Sequence, residues 1–177
     1  MCTAPISLKA VDFNLITRKM PTPFDAVSAV ANACQILPHL ITGGQPNAAQ
    51  LRALKDAGGD IVLDIRDPME NRPIDEPALV GQLGMEYVNI PVRAGSLDDQ
   101  TIERILDVLR GAGDQTVFFH CGSGNRVGGA LIPHLILDHG LEEQDAVDQA
   151  MRVGLRSLEM MEWGLEYARR NQPLTEP

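Results

Sequence analysis

The chain has 177 residues, 44% hydrophobic and 22% charged, the balance of a globular protein long enough to bury a core without disulfide or metal staples. Twenty-four acidic against fifteen basic residues leave a formal charge of -9, which argues against non-specific nucleic-acid binding, because that depends on Lys and Arg neutralising phosphates. The cysteines Cys2, Cys34 and Cys121 are odd in number and no apolar run can span a bilayer, so neither a disulfide scaffold nor a membrane partner is expected.

Without a positively charged leader ahead of an apolar segment, the expected location is cytoplasmic. Residues 1–24 read as a lead-in to a single domain over 25–170, and 171–177, with two prolines, as a frayed tail. Residues 36–42 form an apolar run closed by Gly43-Gly44, a short strand. Asn47 then caps a helix to about residue 56, with Leu51 and Leu54 on one face and Gly58-Gly59 as its stop. Residues 60–65 read as the next strand, 67–73 as a polar turn, 75–83 as a helix ended by Gly84, and 86–90 as a strand stopped by Pro91. Ser96 with Asp99 has capping-box spacing, and Ile102, Ile105, Leu106 and Leu109 follow at helical intervals. Residues 116–120 form a strand rich in β-formers. A glycine-rich turn and helical sequence run on nearly to Arg170, broken near His139-Gly140 and Gly154 and kinked at Pro133. Strand and helix alternate four times, which predicts an α/β fold with a mostly parallel sheet of four to five strands flanked by helices. Ligands in such folds bind at the carboxyl ends of the strands.

The chemistry is concentrated in Phe119-His120-Cys121-Gly122-Ser123-Gly124-Asn125-Arg126-Val127. A cysteine directly after an apolar strand and before a helix stands at the mouth of the sheet. Small residues at 122–124 let the backbone curl until several amide N–H groups face one cavity, and the helix adds its positive end. Arg126 contributes a planar fork suited to two oxygens of a phosphate or sulfate. The same field favours the thiolate, the nucleophilic form of Cys121. His120 either helps to hold the thiolate or turns away into the sheet. A buried cysteine at a strand end is ordinarily an inert small hydrophobe; the glycines and the arginine set this one apart. Gly122, Gly124 and Gly128 are spaced one residue too wide for a dinucleotide fingerprint, and no G-K-[ST] is present for a nucleotide triphosphate. His134 and His139, five apart, fall on different faces of an α-helix and are read as core or surface side chains, as is His39 within its strand. No metal or other cofactor is expected.

His120-Cys121 with its glycine-rich loop and Arg126 resembles the signature of cysteine-dependent phosphatases of the tyrosine and dual-specificity type. Residues 36–45, a helix and residues 61–66 are similar to the opening of the dual-specificity domain. Gly44-Gln45-Pro46, Arg66, Glu70 and Tyr87 ahead of Ile90-Pro91-Val92 are similar to its bacterial beta-lactamase-hydrolase-like, or phosphatase-like, branch. The resemblance implies a phosphomonoester hydrolase acting on a phosphorylated protein or small phosphoester. Cys121 would form a cysteinyl-phosphate, Arg126 would assist catalysis, and His120, Gly122, Ser123, Gly124, Asn125 and Val127 would line the substrate. The chain departs from the family pattern in three ways. Four residues separate Cys121 from Arg126 instead of five, a spacing similar to that of rhodanese sulfurtransferases. Val127 stands where the family has Ser or Thr, with Ser123 a substitute. The position of the family's acidic aspartate falls near Ala94, so Asp98 becomes the candidate acid. Asp99 serves the helix dipole, and Asp64, Asp67 and Glu70 are alternatives; Asp64 with Arg66, and Arg126 with Asp64 or Glu70, are also readable as ion pairs. A persulfide at Cys121 and a non-catalytic phosphate- or sulfate-binding module therefore remain alternatives.

Overall fold

The computed structural model describes residues 20–172; most of the lead-in, with Cys2, and the tail beyond residue 172 lie outside the described residues. Five strands form one sheet in the order β1-β2-β5-β3-β4, where β1 is Cys34–Leu37, β2 Leu40–Gly43, β3 Ile61–Asp64, β4 Glu86–Asn89 and β5 Val117–His120. Strands β2 to β5 run parallel, and β1 pairs antiparallel with β2. Parallel neighbours cannot be joined by hairpins. Each connection after β2 accordingly carries a helix: α2 (Ala48–Asp56), α3 (Glu76–Gln82) and α4 (Asp99–Gly111). The last strand, β5, inserts between β2 and β3, so its carboxyl end lies beside Gly43 on one side and Asp64 on the other.

Both faces of the sheet are covered, as parallel strands require. Alternation along β5 sends Val117, Phe119 and Cys121 into a core with α4, α5 (Asn125–Pro133), α6 (Glu143–Val153) and α7 (Leu158–Asn171). Phe118 faces the opposite core, with α1 (Pro23–Val27), α2 and α3. Helices α5 and α7 cross in close contact, since a Cβ on Gly164 would stand 2.3 Å from the Gly129 carbonyl oxygen. Asn47 caps α2 as expected, exchanging hydrogen bonds with Gln50 at 2.8 and 3.0 Å.

Three expectations need correction. The run at 36–42 is not one strand but the end of β1, a turn and most of β2, because Pro38 has no N–H to continue the ladder; His39 lies in that turn, and its carbonyl accepts from Val117 N at 2.8 Å. Helix α4 starts two residues later than the Ser96 signal: Asp98 is its cap, accepting from Thr101 N at 2.7 Å. After Pro133 the chain does not simply kink but makes a π-helical turn, His134–Asp138. A π turn closes over five residues, so His134 and His139 meet, with their Nε2 atoms 3.2 Å apart. Asp138 accepts from the other His134 nitrogen at 2.8 Å, and burial lowers the His134 pKa against that bond.

Candidate active site

Beyond β5 the ladder continues for one residue, with Cys121 N donating to Gly43 O at 3.3 Å, and then the chain curls. The curl is held from outside. Gln45 N donates to the Gly122 carbonyl at 3.1 Å and Asn32 Nδ2 to the Ser123 carbonyl at 2.8 Å. With those carbonyls tied outward, the Gly124 amide turns inward and donates to Cys121 Sγ at 3.1 Å. Gly124 caps α5 at φ +90, and a Cβ there would lie 1.9 Å from the Val153 carbonyl oxygen, so only glycine fits. Cys121 itself is 1% exposed, beside the positive end of α5.

Arg126, in the first turn of α5, is half-buried and near enough to feel charge on Cys121. Its Nη1 donates to Glu70 Oε1 at 2.5 Å and to Val92 O at 3.3 Å, and its Nη2 donates to Glu70 Oε2 at 2.9 Å. A guanidinium has five N–H donors along two forked edges. Glu70 takes the end-on edge, and the guanidinium also lies within hydrogen-bonding reach of the Cys121 side chain. Glu70 therefore aims the fork and does not block it. The Arg126 bond, helped by Asp67 N at 2.9 Å and Arg66 Nε at 3.2 Å, lowers the Glu70 pKa to about 2 against the cost of partial burial.

From Arg66 the contacts lead back to the thiol. Arg66 Nη1 donates to Gln45 Oε1, and Gln45 Nε2 donates to Glu76 Oε2 at 2.7 Å. The other Glu76 oxygen lies 2.8 Å from His120 Nε2, an electrostatic contact off the hydrogen-bond axis, and His120 Nδ1 is 3.3 Å from the Cys121 carbonyl. Asp64, Glu76 and His120, all buried, are the acid–histidine trio among the described residues close enough to share a cation. Asp64 is already filled: Arg72 Nη2 and the Tyr87 hydroxyl donate to Oδ2 at 2.8 and 2.7 Å, and Arg66 N to Oδ1 at 2.8 Å. Those donors make the trio part of an ion-pair network instead of a metal centre. Burial, and then the Asp64 bond, push the Tyr87 pKa up.

A cavity of about 300 Å³ opens at Arg126, lined among others by Asp67, Glu70, Ala94, Glu159 and Met160. Of the expected residues, Cys121, Gly122, Ser123, Gly124 and Arg126 share the loop, with Arg126 and Asn125 also lining the cavity. Asn125 points its amide oxygen at α7, accepting from Arg156 N at 2.7 Å and Ser157 N at 3.0 Å. Val127 is buried in the core and His120 faces the other side of the sheet, where it stacks on Phe118, so neither side chain lines this cavity. Asp98 lines a different cleft, with Arg93, Ser96 and Arg104. The ion pair suggested for Asp64 forms with Arg72 instead of Arg66, which pairs with Glu70. Asn32, Glu76 and Glu159 escaped the sequence reading, and no local signal marks them.

No family model matches the chain. It is 26% identical over 153 residues to the dual specificity protein phosphatase TpbA of Pseudomonas aeruginosa (strain UCBPP-PA14), covering 85% of this chain and 67% of that one. Among solved structures, a Shewanella putrefaciens CN-32 protein described as a candidate phosphatase (DUF442) superposes with a TM-score of 0.71 at 24% identity, over 83% of this chain and 97% of its own. The cysteine-to-serine variant of P. aeruginosa TpbA in complex with phosphotyrosine superposes with a TM-score of 0.62 at 23% identity, over 78% and 83%. In its sheet order and in the cysteine at the end of the central strand the chain has the fold of these phosphatase structures, and its sequence is similar to that of the dual specificity phosphatase TpbA.

Proposed function

We propose that the chain hydrolyses phosphomonoesters with Cys121 as nucleophile and the loop at 122–126 as its phosphate-binding element. The thiolate attacks phosphorus and expels the ester oxygen, leaving a cysteinyl-phosphate. Water then attacks that phosphorus, releasing phosphate and the thiolate. Inward loop amides and the edge of Arg126 that Glu70 does not take hold the equatorial oxygens, where charge collects in the transition state. One observation carries this reading: a buried thiol that accepts an amide hydrogen bond at 3.1 Å beside an arginine whose end-on fork is anchored by Glu70 and whose guanidinium reaches the thiol. The substrate is a phosphorylated protein or a small phosphoester, in line with the phosphotyrosine seen with TpbA. Cys34 and Cys121 are both free thiols, which suits a cytoplasmic location. No helix of the described residues is long and apolar enough to cross a membrane.

The test is turnover of an activated aryl phosphate such as p-nitrophenyl phosphate. Cys121→Ser abolishes turnover yet still binds inorganic phosphate, because a hydroxyl is a poor nucleophile here while Arg126 and the amides remain. Cys34→Ser keeps the parental rate. Equal turnover by Cys121→Ser and the parent would remove Cys121 from the mechanism.

A further inference from the structure

An alkoxide leaves phosphorus only if a proton reaches the ester oxygen, whereas an activated phenoxide leaves without one. Three carboxylates line the cavity at Arg126: Asp67, Glu70 and Glu159. Glu70 is clamped by Arg126 and Arg66, and Asp67 is bridged to Arg93, which lowers its pKa. Both are held ionised and have no proton to give. Glu159 is bound differently. Its Oε1 accepts the Gly95 amide at 3.0 Å, and among the described residues no arginine, lysine or histidine pairs with it. Glu159 is thus the carboxyl group on this wall that no cation clamps, and its Oε2 takes no hydrogen bond among the described residues.

The position of Glu159 is fixed from both sides. Asn125, in the loop, holds the amides of Arg156 and Ser157, and Ser157 caps α7, so the first turn of α7 is tied to the same loop as Cys121. Across the cavity, Gly95 ties Glu159 to the segment in which Ala94 lines the wall and the Val92 carbonyl accepts from Arg126. A carboxylate in the first turn of a helix is also steadied by the helix dipole, which favours the ion left after a proton is given up. We propose that Glu159 is the general acid of this site, an assignment that rests on the phosphomonoesterase reading above. As Cys121 Sγ bonds to phosphorus and the P–O ester bond breaks, the Glu159 proton passes to the departing oxygen, giving a neutral alcohol and a carboxylate. That carboxylate then takes one proton from the water that attacks the cysteinyl-phosphate, so the cycle returns both groups to their starting state.

The experiment measures kcat/KM, which reports on cleavage of the ester, for a series of aryl phosphates and one alkyl phosphate. Glu159 is exposed, so Glu159→Gln leaves folding intact. The expected result is a p-nitrophenyl phosphate value within about three-fold of the parent, an alkyl phosphate value lower by about 100-fold or more, and a steeper dependence of rate on leaving-group basicity. An equal loss on both substrates, which marks a structural role, or no loss on either, overturns the assignment. A parent inactive on every ester removes the phosphatase reading itself and this assignment with it.

Discussion

Arg126 holds Glu70 with one edge of its guanidinium and, in the mechanism proposed, the substrate anion with the other, which a lysine cannot do. An ammonium is a point charge without a fork, so Arg126→Lys gives up two anion oxygens and the paired grip on Glu70 together. We expect kcat/KM to fall about ten-fold or more. The melting temperature should fall too, because Glu70 loses its main partner; an arginine facing solvent alone would lower only the rate. Kinetics and thermal melts on one variant check both. Glu70 gives this residue-scale picture a pH signature. Its pKa is lowered from 4.5 to about 2 in the folded protein, so its pairing stabilises the fold above the ordinary carboxylate range and is lost as pH falls toward 2. Denaturation midpoints of the parent and Glu70→Gln should therefore differ most near neutral pH and converge between pH 4.5 and about 2. A gap that stays constant across that window contradicts the pairing.

At the scale of elements, α4 separates a cap from a catalyst. Asp98 accepts from Thr101 N at 2.7 Å and lines a cleft apart from Arg126. Asp98→Ala should cost about 1 kcal/mol of stability and leave turnover of both aryl and alkyl phosphates unchanged. Chemical denaturation and kinetics on that variant decide it. The Ser96–Asp99 spacing pointed to a cap two residues early, because the short run at 96–99 offers more than one side chain able to take that place. Elsewhere local pattern sufficed. Asn47 marked the start of α2, and Cys121 through Arg126 were legible as the candidate site because the whole loop is contiguous. Period-two alternation along β5 also held the fate of His120, since a cysteine directed to one side of the sheet turns its predecessor to the other. The unreadable parts were assembled across distance: Asn32 reaches Ser123 over 91 residues and Glu159 reaches Gly95 over 64. The meeting of His134 and His139 was hidden because a π turn changes the angle per residue that an α-helical count assumes.

Across the whole molecule, the charge of -9 surrounds a cavity whose own lining sets Asp67 and Glu70 against Arg93 and Arg126. A dianionic ester thus approaches through a repulsive field before the loop can hold it. Raising ionic strength from roughly 0.01 M to 0.15 M shortens the screening length from about 30 Å to about 8 Å, and kcat/KM for a small aryl phosphate should rise. A sodium chloride series reads this directly, and a fall in its place would mean that the two arginines outweigh the field. The Asn125 bonds to Arg156 and Ser157 carry a consequence for the order in which the protein is made. A nascent chain that has emerged only as far as residue 150 already contains Cys121 and Arg126, but not the two amides that fix Asn125. Gln45 and Asn32 can hold the loop earlier, but its far end at Asn125 is fixed only once the start of α7 has been synthesised and has docked, so the site is completed after its own sequence has been made.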